Sequence, residues 1–125
     1  MAGYVMQNTK VIDDEAVAAG ASVVGVLDME RVDQPFNSSG YGIFPYHIEV
    51  AGTGSWRVYY ALSGDGVSYG ANVSLIAPQE VGTYVGLFAI PLARYIKFTL
   101  TETGIVAPLT AATVGITVKY FTYNI

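Results

Sequence analysis

Trp56-Arg57-Val58-Tyr59-Tyr60-Ala61-Leu62-Ser63 is the stretch that decides the fold class. In an extended chain successive side chains point to opposite sides. Trp56, Val58, Tyr60 and Leu62 therefore make one apolar row, and Arg57, Tyr59, Ala61 and Ser63 make the other. The run stops at Ser63-Gly64-Asp65-Gly66, whose Gly and Asp suit the positive φ values of a tight hairpin.

The same alternation recurs further along. Ile96, Phe98 and Leu100 oppose Tyr95, Lys97, Thr99 and Thr101, while Val114, Ile116, Val118 and Tyr120 oppose Thr117, Lys119, Phe121 and Tyr123. The first row of each set is expected in the core. Short stretches rich in Val, Ile, Tyr, Thr and Phe, punctuated by Gly, Pro, Asn and Asp, place strands at 4–12, 22–32, 46–51, 56–63, 72–77, 84–90, 94–102 and 113–123. Eight such strands with short turns predict an all-β, antiparallel, jelly-roll-like β-sandwich in a single domain. The outward rows retain Tyr59, Tyr95, Phe121 and Tyr123. These serve either as anchors of a subunit interface or as cross-strand pairs on a solvated face.

Residues 1–20 are expected to form an N-terminal arm and linker, with the sandwich over 21–125. Tyr4, Val5, Met6, Val11 and Ile12 are apolar, but Gln7-Asn8-Thr9-Lys10 breaks the alternation of a central strand. Either the arm docks on a neighbouring subunit or it is an edge strand of its own. Residues 13–19 read as an acidic linker or a short docking helix. Residues 33–45 read as a long loop carrying Phe36, Tyr41 and Phe44, and loops of that length tend to be functional or interface-forming.

Composition points the same way. Of 125 residues 52% are hydrophobic and only 13% charged, against about 25% charged in an ordinary soluble domain. A domain of this size has a large surface for its volume, and sixteen charged side chains cannot cover it. The remainder must be Thr, Ser, Gly, Tyr and aliphatic groups, as on subunit interfaces before assembly. A net charge of −4 with six scattered basic residues argues against a nucleic-acid partner. Every apolar run is interrupted before the ~18 residues of a membrane span, so no membrane partner is expected. The amino terminus lacks the pattern of a secretory signal.

No catalytic residue, cofactor or metal is expected. His47 is the single histidine and there is no cysteine, which leaves no nucleophile–base pair built on them and no thiolate site. Asp28 and Glu30 are spaced for an acid–base pair, but nothing else in the sequence suggests a cleft, and a salt-bridged surface explains them as well.

Two segments carry a resemblance. Trp56 to Tyr69 resembles the tryptophan-led hairpin, with its Ser-x-Asp-Gly-x-x-aromatic turn, of discoidin-like sandwiches. Ile90-Pro91-Leu92-Ala93-Arg94-Tyr95-Ile96-Lys97-Phe98 resembles a later strand of the same family. They occur in that order within residues 56–98 and imply a galactose-binding-like jelly roll. The chain lacks that family's cysteines and its ligand-binding spike loops, so no binding residue carries over. In style and arrangement the chain also resembles small virion proteins of tailed bacteriophages, including head decoration proteins. This implies a capsid decoration or stabilisation subunit, or a tail or neck component, made in the host cytoplasm and resident in the virion. Its expected partners are itself, in a small ring such as a trimer, and a major capsid or other virion protein. The rival expectation is a discoidin-like carbohydrate-binding module using Tyr41, Phe44 or Tyr69 as stacking platforms.

Overall fold

A computed structural model describes the backbone of residues 2–30, 32 and 41–123, and the side chains of 5–30, 32 and 41–120. It contains β1 (Ala2–Val17), β2 (Ser22–Asp28), β3 (Tyr41–Ser63), β4 (Val73–Pro91), β5 (Tyr95–Glu102) and β6 (Leu109–Tyr123). All pairings between these strands are antiparallel, in the order β1-β6-β3-β5-β2 with β4 on β3.

Six strands stand where eight were expected, because two of them are double length. Segments 46–51 and 56–63 lie within the two halves of β3, and 73–77 and 84–90 within the two halves of β4. The first half of β3 pairs with β6 and the second with β5, while β4 follows β3 through both. The result is two four-stranded layers. One holds β1, β6, the start of β3 and the end of β4; the other holds β2, β5, the end of β3 and the start of β4. That is the strand order of a jelly roll, with its eight positions filled by six strands. The crossing from layer to layer occurs at Gly52 (φ 121°) and Gly82 (φ 147°), where the β3–β4 register slips between Val50 and Ser55. Only glycine adopts such φ values readily, and strands change sheets at bends of this kind.

The expected inward rows are the observed ones. Trp56, Val58, Ile96, Phe98, Leu100, Val114, Ile116 and Val118 are fully buried, Tyr60 nearly so, and Leu62 and Tyr120 pack against them. Each full burial of a side chain of this size stabilises the fold by about 1.5–3 kcal/mol. Aromatic rings pack among these aliphatic groups: Tyr46 stacks on Phe88 at 4.2 Å and Trp56 meets Tyr84 edge-on at 5.2 Å.

Three expectations need correction. The arm of residues 1–20 is mostly β1, paired with β6 from Ala2↔Tyr123 to Val17↔Leu109, with Ile12 and Val17 in the core. Its acidic segment is strand, reaching inward by register shifts between Lys10 and Val17 and by Asp14 at φ 50°. Second, Ser63-Gly64-Asp65-Gly66 does not close a tight hairpin, since β4 begins only at Val73. The Ser63 hydroxyl and the Asp65 carboxylate instead fold the connection, accepting backbone N–H groups of Gly66, Val67 and Ser68 at 2.9 Å. Third, residues 41–45 belong to β3, not to a loop, while Phe36 and the rest of 33–40 lie outside the described residues.

Candidate interaction surfaces

The interface residues read from sequence fall into separate groups. Ile12 and Phe44 are core and present nothing to a partner. Val5 and Met6 are exposed on β1 and Val11 is half-buried. Tyr4 pairs with Phe121 and Ala2 with Tyr123 in the β1–β6 ladder; of these side chains nothing is described. Tyr41, Tyr59 and Tyr95 are half-buried. The guanidinium of Arg57 lies 4.5 Å from the Tyr59 ring centre, and that of Arg94 4.8 Å from Tyr95. Each ring thus already has a cation on one face. Of the three stacking platforms of the carbohydrate alternative, Phe44 is buried, Lys97 sits 4.5 Å from the centre of the Tyr69 ring, and Tyr41 is half-buried.

The acidic residues considered for catalysis are tied up. Arg94 Nε donates to Asp28 at 2.8 Å, and its Nη2 lies 3.5 Å from Glu30. The Arg94 hydrogen bond, with the Glu30 backbone N–H, holds Asp28 below the usual carboxylate range. His47 Nε2 meets Glu49 at 2.9 Å on the outer face of β3.

Sequence reasoning missed Glu102. It ends β5 and is 1% exposed, at the end of the sandwich where the 18–21 turn, the 51–54 bend and the 103–108 loop converge. Oε1 accepts the N–H groups of Gly20 at 3.0 Å and Ile105 at 2.7 Å; Oε2 accepts those of Ser55 at 3.0 Å and Gly104 at 2.8 Å. Burial alone raises such a pKa, but the donors from Gly20, Gly104, Ser55 and Ile105 outweigh it and hold the carboxyl at about 2. With both oxygens engaged, Glu102 is a brace between three connections and has no lone pair directed at a substrate. An open cleft of about 400 Å³ adjoins it, lined by Thr53, Glu80, Val81, Val106 and Ala107 among others. Beside it the braced loop displays Ile105 and Val106, 75% and 90% exposed, with Ile105 at φ 63°. A β-branched residue in that region is strained.

Apolar exposure extends well beyond this tip. Thirteen large apolar side chains are exposed among the described residues. The densest group is on the outer face of the first layer, where Val85 (71%) and Leu87 (67%) of β4 stand beside Pro45 and Ile43 of β3. Monomeric domains expose scattered aliphatic residues as a matter of course, but rows of them on one strand mark contact surfaces.

No family model matches the chain, and no curated protein does. Among solved structures a chain of infectious bursal disease virus, Gx strain, is similar to it, with 9% identity and a TM-score of 0.48. The match covers 94% of this chain and 36% of that one, so this chain spans little more than a third of the other's length.

Proposed function

We propose that this chain is a structural subunit of a tailed-bacteriophage virion, a capsid decoration or stabilisation protein that works through protein–protein contacts and not by catalysis. Its partners are further copies of itself and a major capsid or other virion protein. The observation that supports this most is the surface: thirteen large apolar side chains exposed among the described residues, on a domain with sixteen charged residues in all. Such a surface favours burial against other subunits at about 25 cal/mol per Å² of apolar area, before the cost of immobilisation. Repeated over a lattice, modest contacts add to a tight one, and each added subunit raises the free energy of breaking the shell.

The test is made on particles. Virions purified from the host that makes them should contain the 13.3 kDa chain in many copies. Particles assembled without it should release their contents at a lower temperature, and adding the purified chain should restore the difference. Particles of wild-type composition that contain none of it overturn the proposal.

A further inference from the structure

We infer that the outer edge of β4 is the surface through which two copies of this chain join, strand to strand, about a two-fold axis; this rests on the self-assembly part of the function proposed above. The sheet has three strands at its margins, and they are not equivalent. β1 and β2 lie against each other, so closely that the Val11 carbonyl occupies the space a side chain on Gly25 would need. Among the described residues β4 pairs with β3 alone, leaving its other edge without a strand along Val73–Pro91.

Native edges are normally guarded by Lys, by an inward-pointing charge, by proline or by a bulge. The stretch Val81-Gly82-Thr83-Tyr84-Val85-Gly86-Leu87-Phe88-Ala89-Ile90 carries no charge and no proline. Its regular register with β3 runs unbroken from Gly82↔Val50 to Pro91↔Tyr41. Beyond the bend at Gly82 it is an unguarded edge in unbroken register.

The occupant follows from symmetry and charge. An antiparallel strand is complementary to itself, so a two-fold axis at Gly86 sets Val85 of one copy opposite Leu87 of the other, and the reverse. The exposed apolar rows then merge into one strip on the outer face of a continuous eight-stranded layer. A chain of net charge −4 repels its copies in general, but this strip brings no carboxylate to the contact.

Light scattering of wild type, Leu87→Lys, Val85→Lys and the control Val24→Lys on the exposed face of β2 tests the assignment, with circular dichroism to check folding. The wild type should scatter at a multiple of 13.3 kDa; either β4 variant should halve that mass, and the control should leave it unchanged. Since the chain has no cysteine, the double variant Val85→Cys, Leu87→Cys should also cross-link between copies on oxidation. A folded Leu87→Lys with wild-type mass, or a double variant that associates without cross-linking, overturns the β4 pairing while self-assembly stands. A wild type that stays at 13.3 kDa overturns both.

Discussion

The Glu102 carboxylate accepts the backbone N–H of Gly20 at 3.0 Å across 82 residues of sequence. Folded, the carboxyl titrates at about 2; its ordinary value is 4.5. As pH falls the unfolded chain therefore takes up the proton first. The stability this group contributes is complete above about pH 4.5 and is lost as the pH drops towards 2. Tm measured from pH 7 down to 2 should fall through that window. In Glu102→Gln an amide NH₂ would face two backbone donors. That variant should melt lower at neutral pH and show a shallower decline in acid.

Trp56 supplies a second test. Its ring is fully buried against Tyr84, and its indole N–H donates to the Glu80 carbonyl at 2.8 Å, fastening β3 to β4 beside the bend. Trp56→Ala should cost about 3–5 kcal/mol in urea unfolding. A loss below about 1 kcal/mol would contradict the packing described for this strand.

Strain at Ile105 predicts a gain. Its side chain is mostly in solvent while its backbone sits at φ 63°, so little burial is lost when the side chain is removed. Ile105→Gly should raise unfolding stability by about 1 kcal/mol. If the exposed pair Ile105-Val106 also touches a partner, particle binding should weaken in the same variant.

The meeting of β1 and β2 can be probed from both sides. Gly25→Ala puts a methyl group on the Val11 carbonyl, and backbone cannot swing aside as a side chain can. The cost should be about 3 kcal/mol or more by denaturant titration. Deleting residues 1–12 removes most of the β1–β6 ladder together with Ile12, and the truncated chain should fail to fold cooperatively.

The inward rows of β3, β5 and β6 were legible because each strand is buried on one face and, apart from small residues such as Ala61, Ser63, Thr99 and Gly115 that are buried too, half-covered on the other, which writes period two directly into the residues. The continuity of β3 and β4 was not: Gly52, Gly54 and Gly82 read as turn residues, and only the pairing partners show that the chain bends there without reversing. The place of β1 was hidden for another reason. Residues 5–8 are exposed on both faces, and the shifts beyond Lys10 destroy the phase that would have marked Ile12 and Val17 as core. Glu102 looks like any surface acid at a strand end. Its partners come from Gly20, Ser55, Gly104 and Ile105, two of them in distant segments, and nothing local signals that convergence.

The passage of β3 and β4 through both layers has a mechanical consequence. In a sandwich whose layers meet only through side chains, a force that parts the layers works against packing alone. Here two covalent backbones run from one layer into the other at Gly52 and Gly82. A pull on one layer is transmitted to the other along the chain. Under load the two layers should yield together in a single event, with no intermediate in which one remains intact.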